Sequence, residues 1–221
     1  FQQEIPVEVF VLDGGSTDNS IEVIRRWEHR LAGWRSCPDE GQAAAINEGI
    51  ALGRAPFVCW LNSDDWFLPS GLSMLIDKLQ KCPDVPAVYG RAWNVVDKTG
   101  KRSPVWVEPF DEKRLALRCI ICQPATLVRR SAWEAVGGVN AGLHMAMDFD
   151  LWWRLYKQFG PLQYLDSFVA VNREHKDTKT RTQRRLHYKE AMSIVRMYHG
   201  SVPLKWWLAQ PFAVWFKSIV G

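Results

Sequence analysis

Hydrophobic and polar positions change rhythm several times along the 221-residue chain. Residues 7–12 are a short β-rich run that stops at Asp13-Gly14-Gly15-Ser16-Thr17-Asp18, small residues that turn and cap. Ile21, Ile24, Trp27 and Leu31 then recur near one face at helical spacing, with Asp18 or a neighbour as N-cap. The alanine-rich stretch 42–52 predicts a second helix, able to pack closely on a sheet. Residues 57–61 are apolar throughout, the pattern of a buried strand, and end at Asn62-Ser63-Asp64-Asp65. Pro69 opens a helix that turns Leu72, Leu75, Ile76 and Leu79 inward. A short strand over 87–89 follows, then a hairpin about Asp97-Lys98-Thr99-Gly100. Helices over 131–136 and 148–159 and a strand over 168–171 complete the predicted body.

This alternation predicts an α/β fold, a mostly parallel central sheet flanked by helices and joined by right-handed crossovers. Ligands of such sheets bind beyond the carboxyl ends of the strands. Asp13 and the cluster from Asn62 to Asp65 both fall at such ends. No internal repeat or low-complexity linker interrupts the chain, so residues 1–180 are expected to form one domain. Residues 181–221 are expected to form a basic, Trp-rich helical extension.

Composition and charge modify this picture. Twelve Trp are present, a residue that gathers where a ring is half buried and half wet, although Trp27 and Trp133 are expected in the core. Residues 173–221 hold ten Lys and Arg against three Asp and Glu, whereas the rest of the chain is slightly acidic. The tail therefore suits an anionic partner: phospholipid, pyrophosphate or nucleic acid. Leu204, Leu208, Phe212, Trp215 and Ile219 recur there at helical spacing, divided by Pro211 and preceded by Lys176, Lys179, Arg181, Arg184, Arg185 and Lys189. This reads as an interfacial helix beside a polybasic segment, with a helix folded back on the body as the alternative. Nucleic acid fits poorly, because the aromatic residues do not interleave with the basic ones. Five scattered Cys argue against a disulfide framework and for a reducing compartment; the lone pair Cys119 and Cys122 reads as packing. No apolar run is long enough to span a bilayer, and no signal-peptide pattern opens the chain at Phe1.

Asp64 and Asp65, at the end of a buried strand, can hold a hard divalent cation that in turn holds a diphosphate; equally, they can be loop or helix-capping aspartates. Asp13 can accept from a nucleotide base or ribose, or bond its own turn. Asp148 opens an amphipathic segment, as a helix cap or as a general base. Arg173 and His175, past the last predicted strand, offer a phosphate partner and a metal ligand.

Six ordered blocks carry a resemblance. They are Val11-Leu12-Asp13-Gly14-Gly15-Ser16-Thr17-Asp18, Gly41-Gln42-Ala43-Ala44-Ala45-Ile46-Asn47-Glu48-Gly49, Trp60-Leu61-Asn62-Ser63-Asp64-Asp65, Gln123-Pro124-Ala125-Thr126, Asp148-Phe149-Asp150-Leu151-Trp152 and Arg173-Glu174-His175. Together, over roughly residues 7 to 180, they resemble the family 2 glycosyltransferases of the GT-A fold, in particular a subgroup that builds bacterial surface polysaccharides such as O-antigen. The resemblance implies a metal-dependent, inverting transfer from a UDP-sugar, with Asp13 on the uracil and Asn62 at the donor. It implies Asp64 on Mn²⁺ or Mg²⁺, Asp148 as the base that deprotonates the acceptor hydroxyl, and His175 by the metal with Arg173 beside it. The family's first strand should precede residue 1. Asn62 stands in place of the first Asp of the family's DxD motif, Met147 in place of a Glu, and Ile46 in place of an Arg. The expected acceptor is a lipid-linked glycan at the cytoplasmic membrane face, approached through the tail. The alternatives are a polyprenyl monophosphate acceptor, or a sugar-nucleotide-binding module without catalysis.

Overall fold

The structure, a computed structural model, describes residues 3, 5–175 and 182–210. β1 (Phe10–Asp13) and β2 (Gly33–Ser36) pair in parallel, joined through α1 (Ser20–Trp27) and a 3-10 turn over Glu28–Arg30. α2 (Gln42–Leu52) lies on β1 so closely that a Cβ on Gly49 would stand 2.7 Å from Leu12 Cδ2. The chain continues through β3 (Phe57–Val58), β4 (Trp66–Phe67), α3 (Gly71–Lys81), β5 (Ala87–Val96) and β6 (Arg102–Pro104). Next come α4 (Glu112–Leu117), a 3-10 turn over Gln123–Ala125, β7 (Thr126–Arg129), α5 (Arg130–Ala135) and α6 (Met147–Phe159). β8 (Gln163–Glu174), α7 (Arg184–His199) and α8 (Leu204–Gln210) complete the described elements.

The larger sheet runs β3-β7-β5-β8-β4, with β6 on β5 as a hairpin. The expected α/β class holds, but the expectation of a mostly parallel sheet does not. β5 and β8 pair in parallel, while β3–β7, β7–β5, β5–β6 and β8–β4 are antiparallel. A buried apolar run reads the same in either direction, so the pattern that locates a strand is silent about its polarity.

Two packed layers cover this sheet. On one side α6 and α7 bring Leu151, Trp152, Trp153, Ile194 and Val195 against Tyr89 and Leu115. On the other, Leu72, Leu75 and Leu79 of α3 meet Val88, Leu127 and Val169. The start of α3 touches β8 directly: a Cβ on Gly71 would collide with Val169 O. Trp133 is buried as expected. Trp27 is not; it is 47% exposed, because α1 contributes no buried side chain.

The tail divides its apolar residues. α7 packs inside the same core as α6. On α8, Trp206 is buried and its Nε1 donates to Ala116 O at 2.7 Å, whereas Leu204, Trp207 and Leu208 are exposed. Lys176, Lys179, Arg181, Pro211, Phe212, Trp215 and Ile219 lie outside the described residues. No helix among the described residues is long and apolar enough to cross a membrane.

Candidate functional site

β3 ends at Val58, and the chain then leaves the sheet to form the acidic loop. That loop is held from three directions. Gln42 Nε2, on the first turn of α2, donates to Asn62 Oδ1 at 2.7 Å. Asn62 Nδ2 donates to Asp65 Oδ2 at 2.9 Å, and the backbone N–H of Arg173 donates to Asp65 Oδ1 at 3.0 Å. Asp65 is therefore a buried strut between the loop and the end of β8. Burial pushes its carboxyl pKa up, against the pull of those two hydrogen bonds. Asp64 faces the other way, and its Oδ2 lies 3.0 Å from His175 Nε2 with both side chains about one-third exposed. The structure thus joins two predicted site residues that are 111 positions apart.

This pair fits a divalent cation. Two ligands in cis positions on an octahedral ion, with bonds of about 2.1 Å, lie about 3.0 Å apart. A carboxylate oxygen and an imidazole nitrogen are also donors that Mn²⁺ accepts. Among the described residues no group of three or more His, Cys, Asp or Glu could by itself enclose an ion. The remaining coordination positions would fall to water or to a ligand's phosphate oxygens.

Arg173 is anchored in two ways. Its backbone holds Asp65, while its guanidinium Nη2 and Nε reach Asp97 Oδ1 at 2.6 and 2.9 Å. The side chain therefore points at the β5–β6 turn. Asp13 accepts from Gly15 N at 3.1 Å, Ser16 N at 2.9 Å, Ser16 Oγ at 2.5 Å and Ser36 Oγ at 2.6 Å. These bonds, the Ser16 hydroxyl foremost, hold its pKa down at about 2 and make it the organiser of the turn after β1. Asp18 accepts from Ser20 N, as a residue at the start of α1 should.

Asp148 lies in the first turn of α6. Its Oδ1 accepts from Phe149 N at 2.8 Å. Burial raises its pKa, opposed by the Phe149 N–H and by the His187 ring. Asp65 and Asp148 both act on the buried thiol of Cys122, which burial pushes up to about 12. The acidic loop and the start of α6 therefore border one interior. Aromatic packing fixes that approach: Trp60 stacks on Trp152 at 6.1 Å and meets Trp133 edge-on at 5.7 Å. Gln123 Nε2 donates to Trp60 O at 2.7 Å. Between α2 and the segment before α6 a cavity of about 180 Å³ opens, lined by Glu40, Gln42, Leu143, His144, Met145 and Gln183.

Sequence reasoning located Asp64, Asp148 and His175 but assigned no role to Gln42, Gln123, His187 or Glu190. Gln42 and Gln123 stood inside motif blocks, which was their available signal. His187 and Glu190 carried none, because a polar residue on a helix looks the same whether it faces solvent or a buried partner.

Comparison with known proteins now bears on this geometry. The sequence model of glycosyl transferase family 2 matches residues 2–137, well over half of the chain. The chain belongs to this family. Chondroitin synthase of Escherichia coli is 24% identical over 169 residues, covering 76% of this chain and 24% of that protein. The succinoglycan biosynthesis protein ExoU of Rhizobium meliloti is 39% identical over 74 residues, covering 32% of this chain and 22% of that protein. The chain thus spans about a quarter of the length of these curated relatives. Among solved structures, residues 1–349 of S. aureus TarS in complex with UDP-GlcNAc superpose with a TM-score of 0.72 at 15% identity, covering 96% of this chain and 66% of that one. The mannosyltransferase PcManGT from Pyrobaculum calidifontis, in complex with GDP-Man and Mn²⁺, gives 0.66 at 19% identity, covering 99% and 66%. The fold of this family 2 chain is GT-A. Asp148, His175 and the whole of α7 lie beyond the residues matched by the family model.

Proposed function

We propose that the chain is the catalytic unit of an inverting glycosyltransferase that moves a sugar from a UDP-sugar to a glycan acceptor. The observation that carries the reading is the Asp64–His175 pair, set 3.0 Å apart, with Asp148 bordering the same interior as the acidic loop. In this reading Asp64 and His175 hold Mn²⁺ or Mg²⁺, which when bound neutralises charge on the donor's diphosphate. Asn62 and Asp13 line the donor side, and Arg173 exchanges Asp97 for phosphate. Asp148 takes the proton of the acceptor hydroxyl, whose oxygen forms a new bond to the anomeric carbon as the bond to the diphosphate breaks. UDP leaves with the electron pair, and a single displacement inverts the carbon. Partial burial suits Asp148 to the role, since loss of water moves its pKa toward the working range of a base.

The acceptor assigned is a lipid-linked glycan of surface polysaccharide biosynthesis, such as O-antigen, which the synthase names among the relatives support at the level of polymer class. Residues 1–180 make the catalytic body. Residues 181–221 make the extension that brings it to the inner membrane face, supported by the exposed Leu204, Trp207 and Leu208 of α8. Replacing Asp148 by Asn tests the mechanism: transfer is expected to fall by about 10²- to 10⁴-fold, with UDP binding retained in a calorimetric titration. Turnover like the wild type's would remove Asp148 from the mechanism. Donor binding without any transfer by the unaltered chain would favour a binding module instead.

A further inference from the structure

α4 ends at Arg118, whose guanidinium lies over the Trp106 ring with Cζ 4.5 Å from its centroid. Arg118 is half-buried, and its Nε is sealed from solvent with no hydrogen-bond partner among the described residues. A buried donor left without a partner marks a group that something else completes. Glu108 does not serve. Its carboxylate accepts from Arg114 Nε at 2.6 Å and Nη2 at 2.5 Å, and from the Trp106 indole N–H as well. The Trp106 ring is 57% exposed, so this aromatic–cation pair forms part of the outer surface.

The pair is tied to both the cleft and the tail. Gln123 is five positions on from Arg118 and donates to Trp60 O at 2.7 Å, just ahead of the acidic loop. Five residues reach no further than about 18 Å, which bounds the distance from Arg118 to that anchor. Ala116, two positions back, accepts from Trp206 of α8 at 2.7 Å. Trp206 meets Tyr188 of α7 edge-on at 5.7 Å, and Arg184 stands one turn before Tyr188 on the same helix face. Leu204, Trp207 and Leu208 of α8 are exposed.

We infer that Arg118, braced by Trp106, binds the phosphate that joins the acceptor glycan to its lipid. This rests on the reading of the chain as a transferase with a lipid-linked acceptor. Such an acceptor is a sugar, an anionic linkage and an apolar chain, in that order. The segment from Gln123 back to Ala116 offers their complements in the same order: reaction cleft, guanidinium, apolar helix. A phosphate at Arg118 gains charge-assisted N–H···O bonds where water is partly shut out. A bilayer phospholipid carries a similar headgroup but has no glycan to reach the cleft.

The test is binding of farnesyl diphosphate, a short lipid diphosphate, to the whole chain by calorimetric titration in EDTA. The chelator denies the Asp64–His175 pair a cation with which to hold the probe. Arg118→Gln is expected to weaken binding about tenfold or more, and Arg118→Lys, which keeps the charge but loses the planar fork, by less. UDP affinity measured in Mn²⁺ is expected to be unchanged, which also shows that each variant is folded. Should Arg118→Gln fail to fold, Arg118→Lys takes its place, with a loss of several-fold expected. Unaltered affinity for farnesyl diphosphate in the folded variant overturns the inference. So does inorganic pyrophosphate that binds as tightly as the lipid diphosphate, since the lipid would then add nothing. Weaker flotation of the variant with phosphatidylglycerol vesicles, with farnesyl diphosphate affinity intact, assigns Arg118 to bilayer headgroups and overturns it as well. A wild type that binds farnesyl diphosphate through Arg118 but binds no UDP would sink the transferase reading and leave the lipid-phosphate site standing.

Discussion

At the residue scale, opposed influences decide what each acidic side chain does. Asp148 is partly buried, and its loss of water raises its pKa, while the Phe149 N–H and His187 pull it back. A carboxyl whose folded-state pKa lies above its unfolded value stabilises the fold fully below the unfolded pKa, and that contribution is lost as pH rises through the folded pKa. Asp148→Asn is therefore expected to resist urea better than the wild type at pH 7 and about equally at pH 4. A lower midpoint at pH 7 would show that the net influence on Asp148 is attraction rather than burial. Asp13 illustrates the opposite balance, with four hydrogen bonds holding it ionised down to about pH 2. The sequence placed both residues at the right ends of the right elements but left open which way each faced. Arg173 shows why. Its guanidinium goes to Asp97, a partner that enters reach only when the β5–β6 hairpin lies beside β8.

At the scale of elements, local periodicity served helices better than strands. α2 runs over the residues its alanine-rich pattern predicts, and α6 starts one residue early. Strand length follows pairing partners rather than local pattern. β3 shrinks to two residues because the chain departs to form the acidic loop. β5 and β8 extend to ten and twelve because each is the other's long parallel neighbour. The capping of α6 by Glu190 is likewise a tertiary fact, absent from any window of sequence around residue 147. It makes a prediction of its own. Glu190→Ala leaves three N–H groups, those of His144, Met145 and Ala146, without their acceptor in a partly buried setting, and is expected to destabilise the fold by about 1–3 kcal/mol in urea unfolding. A loss below about 0.5 kcal/mol would mean that solvent replaces the carboxylate, and that α6 does not depend on α7.

At the scale of the whole molecule, the tail has two faces. Trp206 ties α8 to Ala116 of the body, so this helix is docked, yet Leu204, Trp207 and Leu208 remain turned to solvent. Changing those three to Ser should leave the thermal midpoint within about 6 °C of the wild type, because each exposed substitution rarely shifts stability by more than about 0.5 kcal/mol. The same change is expected to reduce flotation with anionic vesicles several-fold, by removing apolar area that the acyl boundary would cover. Unaltered flotation would assign membrane contact to some other surface. The α/β class and the family were legible from six short blocks of sequence. Strand polarity was not, because it is set by which edges meet.

The Asp64–His175 pair has one more consequence. It joins side chains 111 positions apart, and it exists only because β8 lies between β5 and β4. On the ribosome, Asp64 emerges long before His175, with nothing opposite it. Until His175 clears the exit tunnel and its strand is threaded home, Asp64 lacks the side chain it meets in the folded chain.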